Sequence, residues 1–130
     1  MLCKRFVGLI ICIFFLLSTH GLASLPSDAQ TIGLEQMVEG WAPGSYYKVQ
    51  VPSPGTLSVI LDQVPDDMLT RIAIIDEADS WLAEQDTSTP GQLIAVEAQA
   101  DAPGWYYIGI LDLEGKTHEI NYAFHVTWEQ

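Results

Sequence analysis

Proline and glycine interrupt this chain at short intervals, and no other feature of the sequence restricts its fold as strongly. The interruptions fall at Pro43-Gly44, 52–55, Pro65, Pro90-Gly91, Pro103-Gly104 and Gly115. Short runs rich in β-branched and aromatic residues lie between them, and no long helical period competes with these runs. Breaks at intervals of about 8–12 residues are typical of β-sandwiches and barrels. The spacing therefore predicts an all-β domain.

Alternation of apolar and polar residues places the strands within this pattern. The residues predicted to face inward are Tyr47, Val49 and Val51; Leu57, Val59 and Leu61; Ile72 and Ile74; Ile94, Val96 and Ala98; and Tyr122, Phe124, Val126 and Trp128. With a short strand around 36–40, we predict an antiparallel, jelly-roll-like β-sandwich of seven to eight strands. The segment DEADSWLAEQD, 76–86, is predicted to be a long loop or to hold a short helical turn.

The sequence APGSYYKVQV, at 42–51, is echoed by APGWYYIGIL, at 102–111. Strand parity turns Tyr47 inward in the first copy. In the second copy the isoleucines that follow draw Tyr106 inward and leave Tyr107 outward. The same letters thus occupy opposite registers, so we interpret them as two strands that begin alike and not as an internal duplication.

The first residues have the order of a secretory signal peptide. Lys4 and Arg5 precede an unbroken apolar run at 6–17, and small residues lead to Ala23. The apolar run has 12 residues, whereas a membrane-spanning helix needs about 20. We therefore predict cleavage after Ala23, export to the periplasm or the cell exterior, and no stable membrane span once the peptide is removed.

Three regions follow from this interpretation: a signal peptide at 1–23, a flexible leader at 24–33 and a β-sandwich domain at 34–130. Both cysteines, Cys3 and Cys12, belong to the first region, so the mature chain has none. A chain of roughly a hundred residues can bury enough apolar surface to fold as one domain without disulfides.

The charge of the mature chain is strongly negative. Lys48, Arg71 and Lys116 are its only strong cations, and three positive charges against 17 negative ones leave −14. Such a surface repels phosphate backbones and anionic lipid headgroups, which argues against nucleic-acid and membrane-surface partners. Neutral and cationic partners stay open, as does simple solubility of an exported protein.

The order of the segments VEGW, YYKVQVPSPGTLSVIL, LTRIAIID, PGWYYIGI and NYAFHVTW resembles the bacterial pre-peptidase C-terminal domain. The resemblance extends from about Leu34 to Trp128. It implies a jelly-roll-like β-sandwich of the kind appended to secreted proteases and other exported proteins. For this chain we expect a free-standing secreted form.

No catalytic residue is predicted. Nucleophilic catalysis needs a nucleophile, a base and a group that orients the base, but the mature chain has only His118 and His125 and no GxSxG motif. The DEAD letters at 76–79 have no accompanying GxxxxGK[ST] loop, so they do not indicate a helicase. A small hydrolase using two carboxylates remains an alternative, because 17 acidic residues allow many such pairs.

Acidic side chains in two successive turns form a candidate calcium site. Asp62, Asp66 and Asp67 lie in one turn, and Asp76 and Asp79 begin the next loop. Calcium takes six to eight oxygen ligands, often from aspartates in loops. The two turns could meet at one end of the sandwich and bind calcium together; neither has the spacing of a calcium-binding loop, and acidic turns are more commonly just solvated.

Outward aromatic rings form a candidate ligand site. Trp105 and Tyr107 are predicted to face outward next to Gly109, which leaves room for something to pack against them, and Trp81 lies in the predicted loop. Exposed aromatic rings supply contact area with little loss of entropy and carry a polar edge. The alternative is that the N-terminal strand or the loop covers them.

Together these features predict a non-catalytic exported binding module. Its partner would be an extracellular or envelope polysaccharide or protein, neutral or cationic, bound through the outward aromatics and the acidic loops. A structural or chaperone-like envelope protein is the alternative of a different class.

Overall fold

The computed structural model describes residues 25–130, so the predicted signal peptide lies outside the described residues. Nine strands occur in this range: β1 (Gln30–Thr31), β2 (Val38–Gly40), β3 (Gly44–Val51), β4 (Gly55–Gln63), β5 (Thr70–Ile75), β6 (Trp81–Asp86), β7 (Ala95–Ala100), β8 (Gly104–Asp112) and β9 (Tyr122–Glu129). This part of the chain includes no helix with the length and apolarity needed to cross a bilayer.

The strands form two sheets. One has four strands in the order β2-β9-β4-β7, and the other has five in the order β1-β3-β8-β5-β6. Neighbouring strands are antiparallel except for the short pair β1 and β3, which is parallel. The predicted antiparallel β-sandwich is confirmed, with nine strands in place of seven to eight.

The core lies between the two sheets and consists of the inward residues of each strand. In β4 every second residue from Gly55 to Leu61 is buried, as the alternation predicts. The predicted inward residues of β3, β5 and β9 are likewise buried, except for Trp128, which is partly buried against the core. Ile94 is also only partly buried. It lies just before β7, and its carbonyl oxygen accepts a hydrogen bond from the Leu61 N–H at 3.1 Å.

The two APGxYY segments form neighbouring antiparallel strands, β3 and β8. Their register places Tyr47 opposite Ile108 and Val49 opposite Tyr106, so both inward tyrosines have the predicted orientation. Tyr47 reaches across the core to β9, where its hydroxyl lies 2.6 Å from that of Tyr122. The two strands thus begin alike and differ in register, as predicted.

The sandwich begins before the predicted boundary at residue 34. Gln30 and Thr31 pair with Tyr47 and Lys48 of β3, and Ile32 is 4% exposed within the core. Part of the predicted flexible leader is therefore an edge strand, because the apolar side chain of Ile32 fills space between the sheets.

The segment 76–86 is neither a long loop nor a helical turn. Asp76 Oδ1 accepts the N–H groups of Ala78 and Ser80, both at 2.9 Å, and these bonds close a tight turn. The chain then continues as β6, which pairs with β5 along the edge of the five-stranded sheet. Hydrogen bonding to that edge outweighs the weak local preference of this sequence.

Candidate functional site

The outer face of the five-stranded sheet carries a group of aromatic residues. Cross-strand pairing places Gln50 beside Trp105 and Lys48 beside Tyr107, and all four residues point away from the core. Tyr46, on the same face of β3, lies opposite Gly109. We call the surface formed by Tyr46, Lys48, Gln50, Trp105 and Tyr107 the aromatic face. The structure thus gives Trp105 and Tyr107 their predicted outward orientation and leaves both partly exposed.

Tyr46 occupies the room that Gly109 was expected to leave for a ligand. A Cβ atom at Gly109 would lie 2.8 Å from Tyr46 Cε1, so the ring rests directly on the glycine backbone. The sequence analysis missed Tyr46, although its position one residue before the inward Tyr47 already implied an outward ring. The space next to Gly109 is therefore part of the protein's own packing, and a ligand would meet the Tyr46 ring there.

Trp81 adjoins the aromatic face from the sheet edge. It pairs with Ile75, whose other neighbour in register is Tyr107. Its side chain is 49% exposed, whereas Ile75 is 3% exposed although it faces outward. Trp81 was predicted in a loop; it is instead the first residue of the edge strand β6, two strands away from Tyr107 across the sheet.

Lys48 lies over the ring of Trp105, with its Nζ atom 5.0 Å from the ring centroid. This cation–π contact holds the ammonium group at the surface that the aromatic rings form. Lys48 and Trp105 also lie on adjacent strands. Lys48 pairs with Tyr107 and Gln50 pairs with Trp105, so the four residues form one patch of β3 and β8. A group that contacts the Trp105 ring beside Lys48 therefore also meets an ammonium.

Lys48 differs from the other two strong cations of the described chain. Arg71 Nε lies 2.8 Å from Asp86 Oδ1, and Lys116 Nζ lies 2.9 Å from Glu114 Oε1. No carboxylate of residues 25–130 lies within 4.0 Å of Lys48 Nζ. The one cation on the aromatic face is thus available to an outside group.

Two grooves lie at the start of β8, and Trp105 lines one of them. A groove of about 200 Å³ lies between Trp105, Glu77 and Pro103. A larger groove of about 570 Å³ is lined by Gln50, Pro52 and Pro103. Glu77 Oε1 also accepts the backbone N–H of Trp105 at 3.2 Å, so the acidic turn touches the start of β8. The turn borders the aromatic face and leaves its rings partly exposed.

The outer face of the four-stranded sheet is different in character. Its partly or fully exposed residues on the central strand β4 and the flanking strands are mainly polar: Thr56, Ser58, Glu97, Gln99, His125 and Thr127. The strands of the described chain therefore present one polar outer face and one aromatic outer face.

The five predicted calcium ligands do not come together. Asp62, Asp66 and Asp67 precede β5, and Asp76 and Asp79 follow it. The six residues of β5 span about 20 Å, so the two acidic turns lie at opposite ends of that strand. The prediction that they meet is wrong, and residues 25–130 contain no group of three or more side chains placed to hold a metal ion. Whether the protein binds calcium stays a prediction.

Two of the three aspartates of the first turn, Asp62 and Asp67, are hydrogen-bonded to histidines. Asp62 Oδ2 lies 2.7 Å from His125 Nδ1 on the outer face of the four-stranded sheet. Asp67 Oδ1 lies 2.9 Å from His118 Nδ1. The partners of the first pair are 63 positions apart in the chain and those of the second are 51 apart. Because of these separations, no local pattern in the sequence indicates either pair.

His118 connects the loop after β8 to the rest of the domain. Its Nε2 atom is hydrogen-bonded to Asp112 Oδ2, and the side chains of His118 and Asp112 are 4% and 0% exposed. Hydrogen bonding to Asp112, together with Asp67, raises the pKa of His118 against the opposing effect of burial. Burial would raise the pKa of Asp112, but hydrogen bonds from His118 and from backbone groups outweigh it and lower that pKa. His118 acts as a tether that holds this loop to the domain, because each of its ring nitrogens is hydrogen-bonded to a carboxylate.

No protein-family model and no curated protein matches the chain. Among solved structures it is similar to the pre-peptidase C-terminal domain of collagenase from Bacillus anthracis, with a TM-score of 0.59 and 18% identity. The match covers 80% of this chain and 99% of that domain. At this level of identity the similarity concerns the fold alone. The chain therefore has the fold of a pre-peptidase C-terminal domain.

Proposed function

We propose that the protein is a non-catalytic, exported binding module in the manner of a free-standing pre-peptidase C-terminal domain. It engages a neutral or cationic polymer or protein outside the cytoplasm through the aromatic face. The observation that carries the proposal is the concentration of Tyr46, Trp105 and Tyr107 on one outer sheet face, with Trp81 at its edge. The signal-like residues 1–23 and the lack of cysteine after them support export.

The chemistry of this face suits adhesion to an extended partner. Aromatic rings provide large contact areas at low entropic cost, while the phenol and indole groups offer hydrogen bonds at their edges. The rings stand on strands of a five-stranded sheet, so their spacing is fixed before a ligand arrives. Such preorganisation reduces the ordering cost of binding.

Substitution of Trp105 tests the proposal. We expect Trp105→Ala to weaken binding about tenfold or more, because truncation of an aromatic anchor removes contact area that water then replaces. Binding is measured by the change in tryptophan fluorescence and in melting temperature across a panel of soluble polysaccharides and extracellular proteins. Tyr107→Ala should act in the same direction.

Trp41→Ala is the matched control. Trp41 is 58% exposed, but it precedes Gly44 at the opposite end of β3 from the residue that pairs with Trp105. We expect this variant to bind within about twofold of the unmodified protein. If Trp105→Ala binds every partner as well as Trp41→Ala does, the aromatic face is not the binding surface.

A further inference from the structure

We infer that the ligand of the aromatic face is a neutral, hydroxyl-rich polymer, that is, an uncharged glycan chain, and that Lys48 donates hydrogen bonds to its hydroxyl groups. The inference rests on the proposed function and narrows the class of partner. It follows from a contrast between the charge of the whole domain and the charge at the centre of this one face.

The domain as a whole disfavours anionic polymers. Residues 24–130 carry 17 acidic side chains and three strong cations, and a polyanion approaching any face meets this field. Screening shortens its range to about 8–10 Å at physiological salt without removing it at contact distance. The same field opposes a second copy of the chain as the occupant of the face.

The aromatic face itself disfavours cationic groups. The preferred position for a ligand cation is over the indole ring of tryptophan, and Lys48 Nζ already occupies that position at Trp105. No carboxylate among the described residues neutralises this ammonium. A lysine or arginine of a partner would therefore meet a like charge at the centre of the patch.

An uncharged ligand rich in hydroxyl groups avoids both penalties. The ammonium of Lys48 has three donors and no acceptor capacity, so it is complemented by hydroxyl and ring oxygens. The phenol of Tyr107, which lies opposite Lys48, and the side-chain amide of Gln50, two residues along β3, supply both donors and acceptors. The aromatic rings pack against the apolar faces of sugar rings, as they do against other flat apolar surfaces.

A polypeptide fits this face less well. An extended peptide gains its main-chain hydrogen bonds by adding to a sheet edge, whereas the aromatic face offers only side chains in the middle of the sheet. β8 is paired on both sides, with β3 and β5, and β3 is paired along its length with β8 and at Tyr47 and Lys48 with the short β1. The main-chain groups of a peptide lying here would be left without partners.

Removal of the ammonium distinguishes the ligand classes by the direction of the effect. Lys48→Met keeps an apolar stem over Trp105 and removes the charge and the donors. We expect its affinity for a soluble neutral polysaccharide such as hydroxyethylcellulose or xyloglucan to fall about tenfold, with an unchanged melting temperature. Lys116→Met, which removes an equal charge far from Trp105, is the matched control and should bind as the unmodified protein does. Affinity is measured by gel retardation and tryptophan fluorescence.

Three probes separate failure of this inference from failure of the proposed function. Neutral polysaccharide, polygalacturonate and polylysine are each tested against the unmodified protein, Lys48→Met and Trp105→Ala. Tighter binding of polylysine by Lys48→Met, with no neutral polysaccharide in the panel bound, overturns the neutral-glycan assignment and leaves the aromatic face as a cation-binding surface. If Trp105→Ala alters the binding of no polymer or protein in the panel, both the neutral-glycan inference and the proposed function are overturned.

Discussion

The tether at His118 leads to a prediction about stability, and the structure sets its magnitude. In the stretch 113–120, His118 is the one residue that is not exposed, and no backbone–backbone hydrogen bond joins residues 116–120 to another part of the described domain. We predict that His118→Ala destabilises the protein by about 2–4 kcal/mol near pH 6, because it leaves the fully buried Asp112 carboxylate without its main side-chain partner. For a domain of about 100 residues this corresponds to a fall in Tm of roughly 10–20 °C.

The contribution of the two charged groups depends on pH in opposite directions. The pKa of His118 is raised in the folded protein, so its contribution is fully present below the unfolded-state value of about 6.5 and is lost as pH rises through the folded-state pKa. The pKa of Asp112 is lowered, so its contribution is present above about 3.9 and is lost as pH falls through its folded-state pKa. The destabilisation caused by His118→Ala should therefore be larger at pH 6 than at pH 9.

Urea unfolding followed by tryptophan fluorescence at pH 6, 7.5 and 9 provides the measurement. Asp67→Asn should cost less than about 1 kcal/mol, because the Asp67 side chain is 78% exposed. His125→Ala is the second control, since its pair with Asp62 is partly exposed on both sides. A His118→Ala effect that is the same at every pH, or no larger than that of Asp67→Asn, would refute the reasoning.

Two further predictions concern the packing of β3, on which the aromatic face stands. Gly44→Ala should destabilise by about 2–3 kcal/mol in the same urea assay, because φ is +128° and a Cβ atom would overlap the Ile110 carbonyl oxygen; Gly115→Ala, with φ of +68° and open space around it, should cost about 1 kcal/mol. Tyr122→Phe should cost about 1–3 kcal/mol because it leaves the buried Tyr47 hydroxyl unpaired. The double variant with Tyr47→Phe should cost less than the sum of the two single changes, and an additive result would contradict the proposed pairing.

The fold was predictable where one face of a strand is buried and the other is exposed to solvent. In β3 and β4 alternation alone identified the inward residues, and the opposite registers of Tyr47 and Tyr106 followed from it. The outward direction of Trp105 and Tyr107 followed in the same way, because side chains alternate strictly along a strand. These predictions needed no knowledge of which strands are neighbours.

The errors arose where position depends on distant partners. The edge strand β6 shows no alternation of buried and exposed residues. It forms a strand because the backbone groups of β5 pair with it. The placement of Tyr46 over Gly109 and of Lys48 over Trp105 depends on the pairing of β3 with β8. The acidic turns lie at opposite ends of β5, which no local pattern could indicate. Ile32 was assigned to the leader because the short β1 is too brief to show alternation.

If the protein binds a polymer as proposed, the contrast between its two outer faces limits how it can act there. Because Thr56, Ser58, Glu97 and their neighbours make the four-stranded sheet polar on the outside, a domain attached through its aromatic face presents a hydrated, negatively charged surface on the other side. As a monomer, such a domain would coat a polymer strand and would not cross-link two strands. Neighbouring domains on the same strand would repel one another, which favours sparse and soluble coverage over bundling.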